Sequence, residues 1–122
     1  MAIRRIVPVF AADDLTRLAA FYRDVLGLDV VMDHGWIVTL APAVESAGAM
    51  IPQISFASEG GSGAPVPDLS IEVDDLAAVL ERARAAGADI VYGPTDEPWG
   101  VSRFFLRDPA GRLINVLVHT AG

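Results

Sequence analysis

Two stretches of the chain carry apolar residues at the spacing of an amphipathic helix. The first follows Asp13 and Asp14, either of which could cap a helix start, and the second follows the acidic pair at 74–75. The apolar positions are Leu15, Leu18, Ala19, Tyr22, Val25 and Leu26 in the first stretch and Leu76, Val79, Leu80, Ala83 and Ala86 in the second. Gly27 and Gly87 then stand where a left-handed residue often ends a helix. The pattern predicts two helices.

Most of the remaining chain alternates or clusters apolar residues in short runs that are typical of β-strands. The predicted strands cover residues 3–10, 28–33, 36–41, 49–57, 68–73, 89–92, 101–106 and 112–119. Turn signals separate several of them, including His34-Gly35 and the Asp-Pro-Ala-Gly sequence at 108–111. Residues 58–65, rich in Gly, Ser and Pro, form the one linker-like segment.

The two halves of the chain repeat one order of elements: strand, helix, then three strands. Asp14-Leu15 in the first half matches Asp75-Leu76 in the second, and residues 28–31 match residues 88–91. A module of roughly 60 residues is too small to bury its own sheet, so two modules should pair. We therefore predict one α+β domain over residues 1–122. Module one covers about 1–58, the linker about 58–67 and module two about 68–122.

Composition and charge exclude several functions. The chain has 122 residues, no cysteine, and sixteen acidic against nine basic residues, giving a net charge of −7. All nine bases are arginines, which excludes a Schiff-base lysine, and the lack of cysteine excludes a thiolate site. The arginines are scattered, which argues against nucleic acid and anionic membranes as partners. No signal peptide or membrane span is recognisable, so we expect a cytoplasmic protein.

Several motifs together resemble the vicinal oxygen chelate superfamily. They are the FYRDVLGL sequence at 21–28, the VDDL sequence at 73–76, the tail at 94–100, Phe104-Phe105 and the DPAG turn at 108–111. This superfamily includes glyoxalase I, bleomycin-resistance proteins, fosfomycin-resistance enzymes and extradiol dioxygenases. The resemblance implies two βαβββ modules, an open sheet curled around a ligand cleft, and a homodimer.

The resemblance also implies where a metal would bind. Metal-dependent members take one ligand from the first and one from the last strand of each module. Those positions fall on Val7, Asp68, Asn115 and either Gln53 or Ser55. Valine cannot coordinate and neutral amides are weak ligands, so we expect neither metal nor cofactor. The chain is then most similar to the metal-free bleomycin-resistance branch.

The remaining candidate residues are aromatic or titratable. We interpret His34 as a solvated turn residue, His119 as a strand-end residue, and the acidic cluster at 72–75 as an outward strand residue with helix caps. Trp36 and Trp99 either fill the core or cover the rim of the sheet, or they line the cleft together with Phe56. Asp68 is either a solvated turn residue or a cleft residue that favours a cationic group or acts as a base.

Strand alternation does not choose between Phe104 and Phe105 as the cleft residue. Phe105 shares its strand face with Arg103 and Arg107, a face that is either a cavity wall or a solvated surface. Alternation also places Asn115 on one face with Leu113 and Leu117. The predicted ligand-binding residues are Trp36, Gln53, Phe56, Asp68, Trp99, Phe105 and Asn115.

We therefore expect a protein that binds a small organic molecule, such as an antibiotic, and acts by sequestration without a metal. The alternative is a superfamily enzyme, a lyase, isomerase or dioxygenase, that uses a metal or employs Asp68 as a base.

Overall fold

The computed structural model describes residues 2–43 and 51–120. Module one contains one helix and four strands in the predicted order. Its elements are β1 (Ile3–Ala11), α1 (Leu15–Leu26), β2 (Asp29–Asp33), β3 (Ile37–Ala41) and β4 (Ile54–Ala57). The first residues of the strand predicted over 49–57 lie outside the described residues, and the described part becomes regular only at Ile54.

Module two repeats that order. Its elements are β5 (Leu69–Val73), α2 (Leu76–Ala85), β6 (Asp89–Glu97), β7 (Val101–Arg107) and β8 (Leu113–His119). In both modules the first strand pairs in parallel with the last, β1 with β4 and β5 with β8. The pairs β2–β3, β3–β4, β6–β7 and β7–β8 are antiparallel. The predicted α+β class with two βαβββ modules is confirmed.

The chain divides into two compact units within β1. One unit covers Val7–Val66, and the other joins Met1–Ile6 to Pro67–Gly122. In the first unit the apolar side of α1 packs on one face of the sheet, with Leu15 and Ala19 against Val38, Leu40 and Phe56. In the second unit α2 packs in the same way through Ala83, against residues of β5, β7 and β8.

The helix ends follow the predicted chemistry. Asp14 caps α1 by accepting a hydrogen bond from the Arg17 N–H at 3.1 Å, and Asp75 caps α2 by accepting one from the Ala78 N–H at 3.0 Å. Gly27 ends α1 with a φ of 70°, a left-handed conformation that glycine adopts without steric cost. Neither helix of the described residues has the length and apolar character needed to cross a bilayer.

The glycine-rich segment predicted as a linker forms a tight turn inside the first unit. The Gly60 N–H donates to the Ala64 carbonyl at 2.7 Å, and the Ala64 N–H donates to the Gly61 carbonyl at 2.9 Å. A Cβ added to Gly60 would lie only 2.0 Å from the Pro65 carbonyl oxygen. Glycine is required at this position because the backbone approaches itself closely.

Candidate ligand-binding face of module two

Alternation along β8 places its side chains on two different faces of the sheet. Ile114 and Val116 pack in the core on the α2 side, so Asn115 lies on the opposite side. Register pairs Asn115 with Ser70 of β5 and with Phe105 of β7. We call this side of the sheet, opposite α2, the polar face. Its members discussed below are Ser70, Glu72, Arg103, Phe105, Asn115 and His119.

Asn115 has an unusual hydrogen-bonding state. It is only 8% exposed, and its Nδ2 donates to the Ser70 hydroxyl at 3.1 Å. Its Oδ1 is buried and has no hydrogen-bond partner among the described residues. An unpartnered buried acceptor costs about 1–3 kcal/mol. Asn115 therefore presents an acceptor that a ligand's N–H or O–H could satisfy.

Asp68 directly precedes β5 and forms hydrogen bonds with Leu113, the first residue of β8. Its N–H donates to the Leu113 carbonyl at 2.8 Å, and its Oδ2 accepts the Leu113 N–H at 2.8 Å. This reciprocal pair gives the carboxylate a structural role at the strand start. The residue is exposed, which also leaves it accessible to a ligand.

Phe104 and Phe105 take opposite sides of β7, a choice that the sequence left open. Phe104 is fully buried in the core beneath α2. Phe105 is fully buried on the polar face, where its ring centroid lies 5.0 Å from that of Tyr92. The solvated alternative for Phe105 is thereby excluded.

A buried ion pair inside an aromatic cage lies beside Phe105. Nη2 of Arg103 lies 2.5 Å from Oε2 of Glu97, and both side chains are at most 5% exposed. The Tyr92 hydroxyl donates to the same Glu97 oxygen at 2.9 Å. The Arg103 guanidinium carbon lies 4.7 Å, 4.9 Å and 5.2 Å from the ring centroids of Phe105, Trp99 and Tyr92. The guanidinium of Arg103 is thus a cation that contacts all three rings.

Sequence reasoning missed Glu97 and Tyr92 because it ended the sixth strand at Tyr92. The Gly93-Pro94 pair resembles a strand breaker, yet β6 continues to Glu97 through a shift of register after Tyr92. A Cβ on Gly93 would lie 2.7 Å from the Arg103 carbonyl, so glycine permits this close pairing. The available signal was Arg103, an arginine in the middle of a mostly apolar strand and six residues after Glu97.

The first unit contains a closed counterpart of the Asn115 position. Val9 pairs with Ser55 as Ser70 pairs with Asn115, so Ser55 rather than Gln53 occupies the equivalent site. The Ser55 hydroxyl lies 2.7 Å from the Thr39 hydroxyl, and both residues are buried. Gln53 is partly exposed and directly precedes β4. In module one the Ser55 hydroxyl therefore has a hydrogen-bond partner, whereas the Asn115 Oδ1 at the equivalent position of module two has none among the described residues.

The other two predicted aromatic residues, Trp36 and Phe56, belong to the first unit. Phe56 is 5% exposed and packs beneath α1, its ring centroid 5.0 Å from that of Tyr22. This placement does not match the predicted cleft wall, because the ring fills the core on the helix side. Trp36 lies in the β2–β3 turn, stacked on His34 at 6.1 Å, and its carbonyl accepts the Ser58 N–H. Within the second unit, Trp99, Phe105 and Asn115 of the predicted site belong to one group of neighbouring residues.

Glu72 joins three strands of the second unit, although the sequence indicated only an outward strand residue. Its Oε1 accepts a hydrogen bond from Nε of Arg5, and its Oε2 contacts Nδ1 of His119, both at 2.6 Å. Burial alone would raise the pKa of Glu72, but the His119 and Arg5 contacts outweigh it, and the pKa lies below its ordinary value. Asp74 similarly accepts the Ala2 N–H, which lowers its pKa.

The lowered pKa of Glu72 gives a pH-dependent contribution to stability. A carboxyl with a lower pKa in the folded state stabilises the fold above its unfolded pKa, and that contribution disappears as pH falls through the folded value. We expect Glu72→Gln to cost about 1 kcal/mol at pH 7, since both partners are partly exposed, and progressively less as pH falls below the ordinary pKa of 4.5. Urea unfolding at several pH values measures this, with the exposed Glu81→Gln as control. A cost for Glu72→Gln that does not change with pH would contradict the assignment.

The residues at the four ligand positions do not fit a divalent metal. Val7 has no donor atom, Asn115 offers a neutral amide, and Ser55 is bonded to Thr39. Asp68 supplies the single charge, and one of its oxygens is already bonded to Leu113. Among the described residues no three His, Cys, Asp or Glu side chains come together as a metal site. The donor set thus lacks the three His or carboxylate ligands that such sites require.

Comparison with known protein families assigns the chain to a superfamily. Residues 3–116 match the family model described as the Glyoxalase/Bleomycin resistance protein/Dioxygenase superfamily. The chain belongs to this superfamily. The matched region runs from residue 3 of module one to residue 116 of module two, and it includes all the predicted ligand-binding residues but not His119.

Solved structures of glyoxalase-superfamily proteins share this fold. Methylmalonyl-CoA epimerase from Mycobacterium tuberculosis is 23% identical, with a TM-score of 0.64, covering 94% of this chain and 87% of its own. The Streptomyces coelicolor epimerase in complex with 2-nitronate-propionyl-CoA is 18% identical, with a TM-score of 0.70 and coverages of 98% and 100%. A superfamily member from Vibrio splendidus is 19% identical, with a TM-score of 0.62 and coverages of 96% and 99%. At these identities the likeness shows the fold alone.

Proposed function

We propose that this superfamily member binds a small or medium planar organic molecule without a metal and acts by sequestering it. The observation that carries the proposal is the buried, unpartnered Oδ1 of Asn115 at a position where metal-dependent members place a ligand. A neutral amide there suits hydrogen bonding to an organic molecule better than coordination of a cation.

The surroundings of Asn115 define the chemistry of the ligand. Oδ1 accepts, so the ligand should supply an N–H or O–H group. Trp99, which is partly exposed, offers ring surface in the same cluster as the buried Phe105. A well-formed aromatic pair contributes about 0.5–1.5 kcal/mol beyond area burial. The exposed Asp68 carboxylate and the net charge of −7 favour a ligand with positive charge. A conjugated natural product carrying an amine meets these conditions.

Tryptophan fluorescence tests this binding. Asn115 is 8% exposed, so ligand contact requires neighbouring side chains to move, and Trp99 should report the movement. The titration uses planar natural-product antibiotics, bleomycin among them, on the wild-type protein and on Trp36→Phe and Trp99→Phe. We expect the response to disappear in Trp99→Phe, and Trp36→Phe tests the role predicted for Trp36. Binding seen by calorimetry with neither tryptophan responding would contradict the stacking.

The metal content of the purified protein gives a separate prediction. Because the donor set cannot complete a coordination sphere, dialysed protein should carry no stoichiometric Zn, Fe, Mn or Ni. Elemental analysis per mole of chain measures this. One equivalent of any of these metals would overturn the metal-free proposal.

Enzymatic turnover is the second candidate, because epimerases of the same fold are among the similar solved structures. The fate of a bound ligand distinguishes sequestration from turnover. If the protein sequesters the ligand, NMR of the ligand released from the complex should show that it is chemically unchanged. The homodimer and the cytoplasmic location remain predictions.

A further inference from the structure

The Glu72–His119 pair lies outside the Asn115 site and has the geometry of a carboxylate that orients an imidazole. Three strands position it: Arg5 lies on β1, Glu72 on β5 and His119 on β8. The Glu72 side chain is 14% exposed, whereas the His119 side chain is 48% exposed. A half-buried carboxylate thus orients an imidazole that solvent can reach.

The charge state of Glu72 determines which nitrogen of His119 carries the proton. Arg5 and His119 each contact a different oxygen of Glu72, and an ionised carboxylate can only accept hydrogen bonds. Nδ1 of His119 must therefore be the donor. A neutral His119 then carries its lone pair on Nε2, which has no hydrogen-bond partner among the described residues.

We propose that Glu72 and His119 form a general-base dyad that hydrolyses activated carboxylic esters. His119 is the catalytic base, Glu72 fixes its tautomer, and Arg5 is a positioning residue that holds the second carboxylate oxygen. His119 is four residues from Asn115 on β8, about 13 Å along the strand. The dyad is therefore distinct from the proposed ligand anchor, and either proposal can fail without the other.

The proposed step conserves atoms and charge. Nε2 of His119 takes a proton from water as the water oxygen forms a bond to the ester carbonyl carbon. The resulting tetrahedral intermediate collapses, and the bond from carbon to the alcohol oxygen breaks. The imidazolium returns its proton to the departing alkoxide, which leaves a carboxylic acid, an alcohol and the original dyad. Glu72 remains ionised and stabilises the transient imidazolium.

The chain provides its own control, because its second histidine has no carboxylate partner in the part of the chain that the structure describes. His34 is exposed and stacks on Trp36. The probe is ethyl dichloroacetate, whose poor leaving group and activated carbonyl favour general-base over nucleophilic attack. Hydrolysis by the full-length protein is followed for wild type, His119→Gln, Glu72→Gln and His34→Gln, in water and in deuterium oxide. Nitrogen-15 NMR reads the tautomer of both histidines without reference to activity.

We expect the protein-dependent rate to fall about tenfold or more in His119→Gln, less in Glu72→Gln, and not at all in His34→Gln. The rate should be lower in deuterium oxide, and neutral His119 should carry its proton on Nδ1. Thermal unfolding confirms that the variants are folded. An unchanged rate in His119→Gln, an equal loss in His34→Gln, or a proton on Nε2 of His119 would each overturn the proposal.

Discussion

Arg103→Met should lower the free energy of unfolding by about 3–5 kcal/mol, one of the two largest effects that we expect from a single substitution. Methionine fills a similar volume, but it leaves the Glu97 carboxylate buried with the Tyr92 hydroxyl and without its cation. The cation between the rings of Phe105, Trp99 and Tyr92 is lost as well. Urea unfolding followed by circular dichroism measures the change.

Two further variants separate the buried charge from simple loss of packing. Combining Arg103→Met with Glu97→Gln should recover most of the stability, because no unpaired charge is then buried. Arg107→Met, on the same strand but exposed, should stay within about 0.5 kcal/mol of wild type. A cost below about 1 kcal/mol for Arg103→Met would show that the buried pair has been misassigned.

Phe56→Ala should cost about 3–5 kcal/mol, because it removes a ring that is 5% exposed in the core beneath α1. The neighbouring Phe10, with its ring centroid 6.0 Å away and the residue 53% exposed, is the matched control. Phe10→Ala should cost much less. Thermal and urea unfolding compare the two variants.

The same position tests the sequence prediction that Phe56 lines the ligand cleft. Phe56→Leu keeps most of the core volume and should retain a folded protein. If the ring belongs to the core alone, this variant should bind ligand as tightly as wild type. A loss of affinity in the folded Phe56→Leu protein would show that Phe56 contributes to the binding site.

Local patterns predicted the elements of the fold because helix and strand spacing and capping are local properties. The stripe from Leu15 to Leu26, the caps at Asp14 and Asp75, and the left-handed Gly27 all follow from neighbouring residues. Alternation likewise placed Asn115 on one face with Leu113 and Leu117. It could not decide between Phe104 and Phe105, since both positions of β7 are apolar.

The contacts of the polar face depend on how the strands pair, and a single sequence gives little signal for that pairing. Glu72 and His119 are 47 residues apart in the chain but adjacent in space, so each in isolation looked like a solvated residue. The Arg103–Glu97 pair depends on β6 continuing beyond Gly93-Pro94, where the local signal indicates a break. Pairing register, not composition, brought these groups together.

The most direct test of the central claim is calorimetric titration of an identified ligand into wild-type protein and Asn115→Leu, each with and without a chelator. We predict equal wild-type affinity in both conditions and at least a tenfold loss in Asn115→Leu, since one hydrogen bond to a buried acceptor is worth about 1–3 kcal/mol. Asn115→Leu should be as stable as wild type or more so, because it removes an unpartnered buried acceptor. Binding that the chelator abolishes and added metal restores, or unchanged affinity in Asn115→Leu, would contradict the account.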